Sequence, residues 1–240
     1  RHCLYHFVPS LFRAGVYSSL LCSSTLAIFG YLYVDNIVGM INSTPDVTEQ
    51  ATNYFSILLA ASPAFGLLLM VDGFYKSNGD VKTPLMLEVC SLALNTFGNY
   101  LFVWKLNWGI KGAAYASALS RLLPAVWGCN MLLKGRLGIQ LSLSLSGHGV
   151  IKEVQEVALQ LGKLGIFESM SEFVYGYVFT ILIRQTGDLG PAQQAGLGAG
   201  MRGLEWISFT ISEGFLVAGM TCVGQNIGAK LSQITEKELE

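Results

Sequence analysis

The chain alternates long apolar runs with short polar segments. Six runs approach or exceed the ~20 residues that a helix needs to cross a bilayer, and they are separated by turns rich in Gly, Asn, Asp, Pro and Lys. The runs lie at about 14–33, 51–75, 84–104, 109–133, 157–183 and 192–227. This pattern predicts an all-α fold, a polytopic helical membrane protein with six transmembrane helices.

The third and fourth runs carry polar side chains where hydrocarbon disfavours them. Asn95 and Asn99 are four residues apart and therefore share one helix face. Residue 106, in the turn between the runs, lies midway between Asn95 and Ser117. With a rise of about 1.5 Å per residue, Asn95 and Ser117 reach the same depth near the membrane midplane. The spacing predicts a polar binding site between these helices. The alternative is a structural role, in which the same side chains only hold the helices together by hydrogen bonds.

Carboxylates in the fifth and sixth runs are a second candidate site. Glu168 and Glu172 are four apart near the middle of the fifth run, and Glu213 lies in the sixth. An intramembrane carboxylate is costly unless it has a role or a partner, and it can take up a proton, a sodium ion or an organic cation. The plainer alternative is a structural pair with Arg202.

Four polar residues in or beside the apolar runs have further expected roles. Arg202 and Glu205 are three apart and are expected to pair within one helix. Arg121 is expected to pair with an acid on a neighbouring helix, and Gln194 to line the mouth of a cavity.

Composition agrees with a membrane protein and excludes several classes. Charged residues make up 13% of the chain, against about 25% in soluble domains, and mean hydropathy is +0.48. A net charge of -1 provides no positive electrostatic potential that would attract nucleic acid. No sequence motif of a hydrolase, a metalloprotease or a nucleotide-binding protein is present, so we expect neither enzymatic activity nor a cofactor. Any transport would be driven by an ion gradient.

Basic residues predict the orientation. With the N-terminal segment placed inside, ten Lys and Arg fall on that side and three, Lys105, Lys111 and Arg184, on the other. This asymmetry predicts that both ends are cytoplasmic. The polar stretch after the fourth run marks the best boundary, which divides the chain into 1–135, a loop at 136–156, and 157–240.

Several of these segments also resemble one known family, the multidrug and toxic compound extrusion (MATE) transporters. The resemblance lies in turns and small-residue runs that follow the family's order through most of the chain. They are NGDVKTP at 78–84, LNTFGNYLF at 94–102, GIKGAAYASALSR at 109–121, LGKLGIFESMSEF at 161–173, GDLGPAQQAG at 187–196 and VGQNIGAK at 223–230.

The resemblance implies a fold of twelve helices in two lobes, of which this chain would carry the third to the eighth, an incomplete part of a transporter. The first four helices would belong to the N-terminal lobe, 136–156 would be the cytoplasmic interlobe loop, and the last two helices would start the C-terminal lobe. The parent protein would be a monomer in the plasma (inner) membrane.

The resemblance also implies a function and a site. Proton- or sodium-driven antiport would export amphipathic or cationic small molecules, with no cofactor other than the coupling ion. The family's N-lobe cation site falls on Asn95, Asn99 and Ser117, with Asn99 standing where some members have Asp. A functional acid on the fifth helix falls on Glu172, with Glu168 as second choice. Alternatives are a flippase for lipid-linked sugars or polysaccharide in the same superfamily, and a remnant that transports nothing.

Overall fold

The computed structural model describes residues 2–40, 44–138, 141–145, 150–201, 203 and 206–238. Within these ranges, all regular secondary structure is helical. A π-helical segment, Tyr100–Lys105, continues the fourth helix. The α-helices are α1 His2–Leu32, α2 Val34–Gly39, α3 Pro45–Ser77, α4 Lys82–Asn99, α5 Gly109–Leu133, α6 Val150–Gly187, α7 Pro191–Gly200 and α8 Trp206–Glu238.

Four long helices form the packed part of the molecule. The helix α3 packs against both α1 and α5, and α4 packs mainly against α5 with a smaller contact to α3. The core between them is apolar, and the rings of Phe12 and Phe74 meet edge to face with centroids 5.2 Å apart. Val71, Tyr75 and Leu132 are fully buried in the same cluster. The bundle therefore fixes α4 and α5 against α3.

The prediction of a polytopic all-α membrane protein is confirmed. Within the described residues, five segments are long and apolar enough to cross a membrane: Val8–Leu32, Pro45–Ser77, Lys82–Lys105, Val150–Gly187 and Ile207–Lys230. The fourth predicted run, 109–133, forms a helix with those bounds, α5. It is not among the five, and it carries Lys111 and Arg121 together with many small residues.

Within the predicted run at 192–227, the structure describes α7, Pro191–Gly200, and α8, which begins at Trp206. Arg202 and Glu205, predicted to pair, lie outside the described residues.

Two other helix boundaries differ from the sequence expectation. The helix α1 begins at His2, well before the predicted start of the first membrane run. The helix α6 begins at Val150, inside the segment assigned to the interlobe loop.

Part of that loop is extended and held on the bundle. Leu141 is buried in the core cluster beside α5. The Arg13 Nε donates to the Ser142 carbonyl at 3.0 Å, and the Tyr17 hydroxyl donates to the Leu143 carbonyl at 2.6 Å. Residues 141–145 are therefore fastened to α1.

Candidate functional site

Two glycines allow α4 and the following π-helical segment to lie unusually close to α5. A Cβ built on Gly98 would lie 3.0 Å from the Ala116 Cβ, and one built on Gly112 would lie 2.9 Å from the backbone of Phe102. Real Cβ contacts are essentially never closer than this. The close approach matters because Asn and Ser have short side chains, which reach each other only across narrow helix contacts.

Across this contact the side chains form one hydrogen-bonded polar cluster. The Asn95 Nδ2 donates to the Ser117 hydroxyl at 3.2 Å and to the Ser120 hydroxyl at 3.4 Å. The Asn99 Nδ2 donates to Asn95 Oδ1 at 3.0 Å. The structure thus brings together Asn95, Asn99 and Ser117, as their depths predicted, and adds Ser120, which is buried.

The cluster opens into a groove between α3, α4 and α5. Its volume is about 590 Å³, and Asn95, Ser117 and Ser120 line it together with Tyr54 and Phe65 of α3. This volume lies within the range of about 300–1,000 Å³ that is usual for small-molecule sites. The groove combines aromatic faces with amide and hydroxyl groups.

An ion pair between Arg121 and Glu88, an acid that was not named from the sequence, lies in the same groove. The Arg121 Nη1 donates to both carboxylate oxygens of Glu88, at 2.9 and 3.0 Å, and the Arg121 Cζ is 5.9 Å from the centre of the Phe65 ring. The expectation that Arg121 pairs with an acid on a neighbouring helix is confirmed. Glu88 was detectable, because it lies seven residues before Asn95 and therefore on the same helix face.

The two acids predicted in the fifth run lie elsewhere. Glu168 and Glu172 are both exposed on α6, and neither lines the groove that contains Asn95. The helix α6 packs against α1 and α7. The structure therefore places these carboxylates on a separate helix surface from the polar cluster.

Glu213 lies at a different groove, between the end of α3 and α8. This groove has a volume of about 580 Å³, and Asp72, Lys76 and Gln225 line it with Glu213. Lys76 Nζ is 2.7 Å from the Asp72 carboxylate on its own helix. Glu213 thus faces a polar recess with charges of both signs.

Gln194 is found at the corner between α6 and α7. Its Nε2 donates to the Ile183 carbonyl at 3.2 Å. The Ile183 carbonyl also accepts from the Thr186 hydroxyl at 2.8 Å. The Gln194 bond fastens the start of α7 to the last turns of α6.

The turn before α4 has a charged cap. The Thr83 hydroxyl donates to Asp80 Oδ2 at 2.6 Å, and the backbone N–H groups of Lys82 and Thr83 donate to Oδ1 at 3.1 and 3.0 Å. These bonds, with the Thr83 hydroxyl first, hold the pKa of Asp80 below its ordinary value of 3.8, and nearby Arg136 acts in the same direction. The carboxylate fixes the start of the helix that carries Glu88, Asn95 and Asn99.

Comparison with known proteins agrees with the membrane fold and the motifs. Residues 5–101 match the model of the MatE family. The chain is 26% identical over 226 residues to human "Multidrug and toxin extrusion protein 1", covering 94% of this chain and 38% of that protein. It is 24% identical over 171 residues to the "Probable multidrug resistance protein NorM" of Listeria monocytogenes, covering 68% of this chain and 37% of that protein.

A solved structure has the same fold over most of the chain. It is described as "Crystal structure of MATE in the bent conformation", and it aligns with a TM-score of 0.51 and 17% identity, covering 91% of this chain and 58% of that one. The chain spans 38% of the length of the human relative. The family model over residues 5–101, the relatives and the shared fold together make this chain similar to the MATE transporters over most of its length.

Proposed function

We propose that the protein containing this chain is a secondary active antiporter that exports amphipathic or cationic small molecules in exchange for H⁺ or Na⁺. The observation that carries the proposal is the hydrogen-bonded cluster of Asn95, Asn99 and Ser117, of which Asn95 and Ser117 line a groove between α3, α4 and α5. The relatives' names, multidrug extrusion and multidrug resistance, support export of small molecules.

The cluster is suited to an ion rather than to proton uptake. Its members are neutral amides and hydroxyls, which offer oxygen ligands and do not titrate near neutral pH. A sodium ion can be coordinated by such oxygens, whereas proton uptake needs a titratable group, such as a carboxylate. In the proposal, Asn95, Asn99 and Ser117 bind the coupling cation, and proton coupling would use Glu172 or Glu168 on α6.

The two halves of the chain have different proposed roles. Residues 1–135 form the part of the N-terminal lobe that contains the groove, 136–156 is the cytoplasmic interlobe loop, and 157–240 starts the C-terminal lobe. Packing of α1, α3, α4 and α5 into one bundle supports this division. Glu213 and Gln194 are proposed to face the substrate cavity between lobes, and the recess around Glu213 supports that role for this residue.

The transporter is proposed to act as a monomer in the plasma (inner) membrane, with both ends of this chain cytoplasmic. A flippase for anionic lipid-linked sugars would favour a basic cavity, and the charge of Arg121 in the groove is balanced by Glu88. This balance favours cationic or neutral substrates. We propose transport rather than catalysis, in keeping with the names of the relatives.

The experiment is an efflux assay of a cationic dye on the full-length protein in cells with a controlled ion gradient. Asn95→Leu should reduce efflux driven by a Na⁺ gradient at least tenfold, and Glu172→Gln should reduce efflux driven by a proton gradient at least tenfold. Thr96→Val is the matched control, because Thr96 is exposed on α4 and its hydroxyl contacts only its own helix among the bonds described. Parent-like efflux by both Asn95→Leu and Glu172→Gln would contradict the proposed ion sites, and absence of efflux in the parent would contradict the function.

A further inference from the structure

Arg121 already sits in surroundings that suit an organic cation. Its guanidinium lies between a carboxylate, Glu88, and an aromatic ring, Phe65. A carboxylate supplies the charge-assisted hydrogen bonds, and an aromatic face within about 6 Å attracts the same cation through its quadrupole. Three helices supply the three groups: Phe65 lies on α3, Glu88 on α4 and Arg121 on α5.

This arrangement is open to the groove rather than sealed in a core. The side chains of Arg121 and Glu88 are 38% and 58% exposed, and both line the groove with Tyr54 and Asn95. A partly exposed ion pair contributes little net stability, because water competes for both charges. A cation that enters the groove therefore competes with a weak partner.

We propose that Glu88 and Phe65 form an organic-cation subsite that Arg121 occupies as a tethered cation until a ligand carrying a guanidinium or ammonium group displaces it. The inference rests on the proposed export function and names the part of the groove that recognises the charged end of the substrate. Tyr54 supplies a second aromatic wall for the ligand's apolar part.

The tether sets the affinity of the subsite. A group held on a short linker competes at an effective concentration in the millimolar range. A ligand displaces it when its own apolar area adds to the charge interaction, which Arg121 cannot match. The subsite thus favours cations that carry a ring over small hydrophilic cations.

A purely structural ion pair predicts the opposite response to mutation. If Arg121 only links α4 to α5, its removal weakens both the bundle and any ligand binding. If Arg121 is a tethered competitor, its removal frees the carboxylate and strengthens cation binding. The sign of the change therefore separates the two roles.

The test is equilibrium binding of phenylguanidinium to the purified full chain in lipid nanodiscs, with neutral phenylurea as the ligand of matched shape. We expect Arg121→Gln to tighten phenylguanidinium binding about two- to fivefold, because it removes a weak, partly exposed competitor for Glu88. Glu88→Gln should weaken phenylguanidinium binding to the level of phenylurea. Lys111→Gln, which removes an exposed cation near the start of the same helix, should leave both affinities at the parent value.

Two further variants keep the test decisive if Arg121→Gln folds poorly. Arg121→Lys retains the charge but loses the planar fork, so it should tighten binding by a smaller factor. Phe65→Leu should loosen binding several-fold, since it removes the aromatic face. The proposal is overturned if neither Arg121 variant tightens binding, or if Glu88→Gln binds phenylguanidinium as the parent does.

The experiment can reject the proposed subsite and the proposed transport function independently. The binding assay needs no ion gradient, so loss of binding with intact dye efflux would overturn the subsite and leave the proposed function standing. Tight, Glu88-dependent binding in a protein that exports nothing would support the subsite and contradict the proposed function.

Discussion

Gly98 lies against Ala116 so closely that an added Cβ would come within 3.0 Å of the Ala116 Cβ and 3.3 Å of its Cα. Gly98 is buried on α4 between Asn95 and Asn99, and Ala116 precedes Ser117 on α5. The distance between the helices at the polar cluster is therefore set by the absence of a side chain at position 98.

Replacing Gly98 by valine is expected to push α4 away from α5. The added atoms overpack the contact, which costs about 1–3 kcal/mol, and the Asn95–Ser117 hydrogen bond lengthens. Thermal unfolding in detergent measures the first effect. Gly162→Val is the control, because a Cβ at Gly162 meets nothing within 4 Å. Equal losses in the two variants would show that the contact at Gly98 is not tight.

Asp80 is expected to stabilise the start of α4 in a pH-dependent way. Its pKa is lowered in the fold, so its ionised form is favoured there. The contribution is present above the ordinary pKa of 3.8 and is lost as the pH falls through the lowered value. Asp80→Ala should cost about 0.5–2 kcal/mol at pH 7, the usual effect of losing a helix cap.

Asp80→Asn serves as the matched variant for the charge alone. Its Oδ1 can still accept from the two backbone N–H groups, while the titrating carboxylate is gone. The stability difference between parent and Asp80→Asn should shrink between pH 6 and pH 3. A difference that stays constant over this range would contradict the assigned role of the charge.

The Tyr17 hydroxyl is expected to hold the extended segment 141–145 on α1. Tyr17→Phe removes the bond to the Leu143 carbonyl, which is worth about 0.5–1.5 kcal/mol. Hydrogen exchange of the 141–145 amides should accelerate by about tenfold, since 1.4 kcal/mol corresponds to that factor. Tyr31→Phe, at an exposed position on the same helix, should leave this exchange unchanged. Unchanged exchange in Tyr17→Phe would mean that buried Leu141 and Arg13 suffice to hold the segment.

Much of the bundle and its polar cluster follows from spacing along the sequence. The lengths of the apolar runs predicted the long helices. Asn95 and Ser117 are each eleven residues from residue 106, which predicted that they lie at the same depth, and the structure has a 3.2 Å hydrogen bond between them. This worked because two antiparallel helices joined by a short turn have a fixed relative depth.

Other features depend on contacts that one helix does not reveal. The sequence suggested that Arg121 has an acidic partner, but only the packing of α4 on α5 identifies Glu88. The roles of Glu168 and Glu172 stay predictions, since their surroundings on α6 are exposed.

The central claim is that the cluster of Asn95, Asn99 and Ser117 binds the coupling cation. The most direct measurement is the affinity for Na⁺ of the purified full-length protein in nanodiscs, compared with Asn95→Leu and with the control Thr96→Val, at a pH where carboxylates are ionised. The account predicts saturable Na⁺ binding that Asn95→Leu weakens at least tenfold and Thr96→Val leaves intact. The account would be contradicted if all three proteins bound the ion, Na⁺ or H⁺, with the same affinity.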